Sequence, residues 1–267
     1  VLILGLGCEN NAVEQMKAVL GPYDGERIKF LVCQEEADEI AAGTALLKEL
    51  CCYASRFKRT AQPVSKLVLG LKCGGSDGFS GLTANPLVGM ASDRLVAAGG
   101  SSILTEVPEM FGAETLLMNR CRNQATFQKT AALINDFKQY FKRYGEEINE
   151  NPSPGNKAGG ITTLEDKSLG CVQKGGTAPV VDVLGYGEQV KSAGLSLLQA
   201  PGNDLVAANA LAAAGAQMVL FTTGRGTPFA SPVPTLKIAS NVQLAQFKKN
   251  WIDFNAGVLT EKGNVEE

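Results

Sequence analysis

KLVLGLKCGGSDGFSGLTANP, residues 66–86, decides how this chain folds. Its first part, KLVLGL at 66–71, reads as an apolar buried strand. CGGSDGFSGLTANP at 73–86 then follows as a polar loop holding four glycines, two serines and Asp77. The closing Asn85-Pro86 pair predicts a helix start, with asparagine as N-cap and proline at the first helical position. Strand, glycine loop and helix in this order make the unit of an open α/β sheet. Such a sheet places its ligand at the carboxyl ends of its strands, where glycine lets backbone N–H groups approach an anion.

The same alternation recurs on both sides of that stretch. Upstream, residues 1–7 predict a first strand, apolar throughout, and a helix runs from about Ala12 to Leu20. A second strand follows at Arg27 to Cys33, then a helix from about Glu35 to Phe57 whose vicinal Cys51 and Cys52 read as packing residues. Downstream, a helix from about Pro86 ends at Gly99-Gly100 and SSILTEV at 101–107 is the next strand. A long helical stretch is expected over 109–145. QMVLFTTGRGTP at 217–228, TLKIAS and WIDFNAG continue the pattern to the end. The prediction is an α/β fold with a mostly parallel sheet flanked by helices in Rossmann-like layers. SRFKRTAQPVSK at 55–66, with four basic residues and Pro63, breaks the apolar pattern. It separates residues 1–62, read as the C-terminal part of a smaller α/β domain, from a main domain over 64–267. Opening at Val1 directly on a strand reads as a fragment lacking N-terminal sequence.

Composition removes several function classes. A net charge of −2 with a pI near 5.5 supplies no basic field for nucleic acid or an anionic membrane surface. No run approaches the ~18 apolar residues of a transmembrane helix. Seven cysteines, odd in number and without a C-x-x-C pair, argue against a disulfide framework and a zinc knuckle, so a reducing cytoplasm is the simplest setting. The chain has no histidine, which excludes Ser-His-Asp hydrolysis, H-E-x-x-H metal sites and imidazole proton shuttles within it. Any general base here is Lys, Asp, Glu, Tyr or Cys, and any metal is held by oxygen or thiolate unless another domain supplies histidine.

Four loops carry the residues that local structure does not explain. Besides 73–86, the strand ending near 106 delivers Glu106 and then Pro108-Glu109 to the sheet's carboxyl edge, where buried carboxylates need a partner or a cation. In NPSPGNKAGGITTLEDKSLG at 151–170, Lys157 lies between Asn156 and Gly159-Gly160, and Thr162-x-x-Glu165 reads as a capping box. Arg225 stands between Gly224 and Gly226, free to present its fork to a carboxylate. GCVQKGGT at 170–177 only imitates a phosphate loop, because Gly176 occupies the lysine position and Lys174 comes two residues early. Loops 73–86, 106–109, 151–160 and 222–227 are expected to converge on one pocket.

CGGSDGFSGLTANP, ILTEVPEMFGAETLL, ENPSPGNKAGGITTLEDKSLG, LLQAPGND, FTTGRGTP and WIDFNAG resemble, in order and spacing, the altronate/galactarate dehydratase family. GLGCENN at 5–11 and TEVPEMFGAE bring the likeness nearer to its altronate-specific members. The resemblance covers essentially the whole chain. It implies a cytoplasmic hydro-lyase of hexuronate catabolism that removes water from D-altronate to give 2-dehydro-3-deoxy-D-gluconate; the alternatives are a galactarate-type or related sugar-acid lyase of the same family, or a folded but non-catalytic fragment lacking the N-terminal SAF-like domain. It further implies a divalent metal, Fe2+ or alternatively Mn2+, a small N-terminal SAF-like domain in the same polypeptide, and a possible homodimer.

Dehydrating a sugar acid removes a weakly acidic proton α to a carboxylate and expels a hydroxyl, so the site must neutralise a developing enediolate. The expected acid/base groups are Lys157, Glu106 and Asp77. Ser76, Asn85, Asn156 and Thr223 are expected on substrate hydroxyls and Arg225 on the carboxylate. Cys8, Cys73 and Glu106 are the candidate metal ligands.

Overall fold

The first two strands, β1 (Leu2–Gly5) and β2 (Lys29–Val32), pair in parallel with Leu2 on Lys29 and Gly5 on Val32. Helix α1 (Val13–Leu20) connects them, and α2 (Glu39–Ser55) follows β2. α2 begins four residues later than expected, because Cys33–Glu35 form a 3-10 turn and Asp38 caps the helix by accepting the Ala41 N–H. Two expectations fail here. β1 is not a buried strand, since Leu4 is 61 % exposed, and Cys51 and Cys52 are exposed rather than packed. A two-stranded sheet has too little surface to bury a strand on both faces. The computed structural model describes residues 1–262, and the chain divides after Ala61 into two compact units.

The second unit is built on β3 (Val68–Cys73). The chain then forms α3 (Ala84–Ala97), β4 (Ser101–Leu104), α4 (Glu114–Met118) and α5 (Gln124–Arg143). Next come α6 (Pro154–Ala158), α7 (Leu164–Val172), β5 (Val180–Leu184) and β6 (Gly194–Leu198). It closes through α8 (Asp204–Ala213), β7 (Met218–Thr223), β8 (Thr235–Ala239), α9 (Val242–Phe247), β9 (Phe254–Asn255) and α10 (Leu259–Lys262). Seven strands form one parallel sheet in the order β5-β6-β4-β3-β7-β8-β9. β3 is central, and the chain leaves it towards β4 on one side and returns to β7 on the other, which makes its carboxyl end a topological switch point.

Strand alternation divides the core. Leu69, Leu71 and Leu104 pack with Val88 and Leu95 of α3 and Ile134 and Phe137 of α5. Ile103, Val219 and Phe221 pack with Ala207, Ala210 and Leu211 of α8. Gly70 permits that second contact, since a Cβ there would lie 3.1 Å from Leu211 Cδ1.

Local punctuation differs from the sequence reading in three places. α3 starts at Ala84, so Asn85 lies inside the helix and is not its cap; Thr83 takes the cap position. The expected helix over 109–145 is broken, because Gly112 adopts φ 87° and Asn123 opens α5 by accepting the Thr126 N–H. Thr163, not Thr162, caps α7 by accepting the Asp166 N–H. Among the described residues no helix is long and apolar enough to cross a membrane.

Candidate active site

At the carboxyl end of β3 alternation sends Lys72 and Cys73 to opposite faces of the sheet, and Glu106 serves both. Lys72 Nζ lies 2.5 Å from Glu106 Oε1 and 2.8 Å from Asp204 Oδ1 at the start of α8. The Cys73 N–H donates to Glu106 Oε2 at 3.0 Å, and Lys174 Nζ approaches the same oxygen at 3.3 Å. Lys72, Glu106 and Lys174 are 0 %, 1 % and 1 % exposed. Charges so deep persist only when paired and hydrogen-bonded, and here they are. Burial pushes the Glu106 carboxyl up, but Lys174 and Lys72 outweigh it and bring it down to about 2. Burial likewise opposes the Lys174 charge, while Cys73 and Glu106 hold its ammonium well above the usual lysine range. Glu106 alone among the described non-glycine residues has positive φ, 68° with ψ 62°. A backbone conformation costing ~1–2 kcal/mol is retained where these ion pairs dictate it.

On the other face, α7 contributes Lys167 and Cys171, one turn apart and therefore on one side of the helix. Cys171 Sγ lies 3.6 Å from Cys73 Sγ and donates to Glu109 Oε2 at 3.2 Å. Lys167 Nζ sits 2.6 Å from Glu109 Oε2, 3.3 Å from Cys171 Sγ and 3.3 Å from Ser76 Oγ. Cys73, Glu109 and Cys171 present ligand atoms within 4.8 Å of one another. The contact with Cys171, helped by Lys167 and Lys174 against burial and Glu106, brings Cys73 down to about 6. The same contact, with burial, pushes the Cys171 thiol well up. Cys73 is thus the more acidic thiol of the pair.

Above this floor opens a cleft of about 800 Å³, lined by Cys73, Glu109, Asn156, Lys157, Lys167 and Arg225 among others. Loops after β3 and β7, the 3-10 turn after β4 and the 151–158 segment all reach it. Lys157 and Arg225 are exposed at its rim. Ser76, Asp77 and Asn85 instead line a smaller cavity of about 150 Å³ that shares Lys167 with the cleft.

Several candidate side chains are engaged within the protein. Asp77 Oδ1 accepts from the Ser80 N–H, Ser80 Oγ and Ser240 Oγ at 2.9, 2.9 and 2.7 Å, and Oδ2 from Asn241 Nδ2 at 2.9 Å. Asn85 accepts from Thr222 Oγ1 at 2.6 Å and donates to Gly170 O at 2.9 Å. Asn156 Oδ1 accepts from Ser153, and its Nδ2 donates to Ser76 O at 2.8 Å, tying two cleft loops together. Thr223 Oγ1 accepts the Gly226 N–H at 2.9 Å and shapes the Arg225 turn. Glu106 is engaged with two lysines and lies 3.8 Å from Cys73 Sγ, whereas Glu109 accepts from Cys171 and Lys167. Cys8 belongs to the first unit, is exposed, and accepts from Gln34 Nε2 at 3.7 Å.

The sequence reading missed Lys72, Lys167, Cys171 and Asp204 and saw Lys174 only as a failed phosphate loop. One signal was available: a lysine inside an apolar strand bounded by glycine and cysteine must find a partner when that strand is central.

A glycine-rich cleft at the switch point of a parallel sheet, with Lys157, Arg225, Glu147 and Glu150 exposed around it and thiols, a carboxylate and a lysine on its floor, has the position and size of a small-molecule site in an α/β protein. The chain belongs to the D-galactarate/altronate dehydratase family: residues 64–267 match that family's C-terminal domain and residues 1–55 its second domain. It is similar to altronate dehydratase of Bacillus subtilis (strain 168), 62 % identical over 267 residues that span 100 % of this chain and 54 % of that protein. Altronate dehydratase of Escherichia coli (strain K12) is 60 % identical over 97 % of this chain and 52 % of its own length. Galactarate dehydratase (L-threo-forming) of the same strain is 34 % identical over 100 % of this chain and 53 % of its own length. The chain spans about half the length of these curated relatives.

Proposed function

We propose that this chain forms the catalytic part of a sugar-acid hydro-lyase that converts D-altronate to 2-dehydro-3-deoxy-D-gluconate and water in the cytoplasm, joined to an N-terminal SAF-like domain in the whole protein. A galactarate-type lyase is the second reading. One observation carries the choice: identity is 62 % and 60 % to two altronate dehydratases but 34 % to a galactarate dehydratase. The test is turnover of the whole protein on altronate against galactarate with added ferrous iron. Faster turnover of galactarate would reverse the choice.

The reaction takes a proton from C2 and expels the C3 hydroxyl as water. The resulting enol then tautomerises to the 2-oxo acid. In the cleft Arg225 receives the substrate carboxylate, and Lys157, free of any ion pair among the described residues, moves the proton. The buried Lys72–Glu106–Lys174 group holds Cys73 and its loop rigid beneath the reacting carbons. Two sulfurs and a carboxylate within 4.8 Å fit a divalent metal of borderline softness, Fe2+ better than Mn2+, at Cys73, Glu109 and Cys171. Bound there, such an ion would polarise oxygens of the substrate and stabilise developing enediolate charge.

Arg225→Lys is expected mainly to raise KM, on the order of tenfold, with kcat little changed, since a point charge keeps the attraction but loses the two-pronged grip. Steady-state kinetics on altronate checks this. A fall in kcat at constant KM would move Arg225 from binding to the chemical step.

A further inference from the structure

The Cys73, Glu109 and Cys171 donor set already has a cation among its atoms. Lys167 Nζ stands 2.6 Å from Glu109 Oε2, 3.3 Å from Cys171 Sγ and 4.0 Å from Cys73 Sγ. These are the three atoms that lie within 4.8 Å of one another. An ammonium and a divalent ion cannot share that space, because both need the same oxygen and sulfur lone pairs and like charges so close in a buried site repel strongly. Either the set never takes a metal or the lysine leaves when one arrives.

The surroundings allow it to leave. Lys167, 4 % exposed, lines both the large cleft and the smaller cavity, so a side-chain rotation has a void to enter on either side. Its ammonium already reaches Ser76 Oγ at 3.3 Å, a partner outside the donor set. Lys167 and Cys171 stand one turn apart on α7, so rotation about the lysine's side-chain bonds moves its ammonium without shifting the thiol.

We propose that Lys167 is a resident plug of the Cys73–Glu109–Cys171 set, and that a thiolate-preferring divalent ion enters by displacing its ammonium. This rests on the reading that the three residues form the metal site. On entry the ion takes the Glu109 oxygen and the two sulfurs, the Cys171 proton passes to solvent, and the ammonium swings towards the cleft. Two sulfurs in the set select Fe2+, Co2+ or Zn2+ over Mg2+ and Mn2+. The plug would keep the thiols paired and compact while no metal is bound.

The test titrates the whole protein with Co2+ and follows the sulfur-to-cobalt charge-transfer absorption, which needs no turnover. Lys167→Met should bind Co2+ more tightly than the unaltered protein, on the order of tenfold or more. Cys171→Ser should remove the band in either background, separating this site from the remaining cysteines. Lys167→Gln replaces the Met variant if near-ultraviolet circular dichroism shows the latter misfolded. A second readout uses the unaltered protein: Co2+ should raise acylation of Lys167 by an amine-reactive probe, mapped by mass spectrometry. Equal affinities with the band present, or unchanged Lys167 acylation on cobalt binding, would overturn the plug and leave the metal site standing. No band in any variant would overturn both.

Discussion

Replacing Glu106 by Gln is expected to destabilise the second unit by about 3–5 kcal/mol, the range for breaking a buried ion pair from one side. The amide keeps the shape but presents Lys72 and Lys174 with no negative charge, and both ammonium groups stay almost fully buried. Asp204 still partners Lys72, whereas Lys174 has no other carboxylate contact among the described residues. Urea denaturation followed by far-ultraviolet circular dichroism measures the loss, and a change below about 1 kcal/mol would show that these charges are not held as paired ions. The pH dependence carries an independent sign. The folded carboxyl titrates near 2 against an ordinary value of 4.5. Its contribution is therefore present above 4.5 and is lost as the pH falls through about 2. The Gln variant should lack that part of the acid sensitivity.

Lys157→Met is expected to lower kcat on altronate by on the order of 100-fold or more, as for a lost acid/base group, with the fold intact. Among the cleft's other charged groups Glu109 is paired with Lys167, Asp204 with Lys72, and Arg225 stays permanently charged, while Glu147 and Glu150 are exposed carboxylates of the same lining. Lys157 is exposed at the rim on α6, whose N-terminus is pinned by the Ser153–Asn156 capping box. Substituting its side chain should leave that scaffold unchanged, so the kinetic effect is separable from a structural one. Near-normal kcat in the variant would assign the proton to the Lys167–Glu109 pair instead.

What the sequence determined by itself was the layering and the edge of the sheet at which the candidate cleft opens. Apolar runs followed by glycine loops can be satisfied only by a mainly parallel sheet with helices on both faces, and such a sheet exposes its loops at one edge. That reasoning reached Cys73, Lys157 and Arg225 because each lies at a strand end or beside a glycine in a polar loop. It also put Glu106 at the carboxyl edge. The absence of histidine was equally legible, and it left lysine, carboxylate and thiol as the available chemistry.

Only the tertiary structure decided which of these groups face one another. Cys73 and Cys171 are separated by 98 positions, and Lys72 and Asp204 by 132, so nothing local relates them. Asp77 looked like a free acid in a loop, yet Ser240 and Asn241 reach it from beyond β8 and occupy its oxygens. Glu106 looked like a metal ligand and proves to be the counter-ion of two lysines. In each case a buried charge takes its role from whichever partners desolvation forces on it, and those partners come from strands and helices far apart in sequence but adjacent at the switch point.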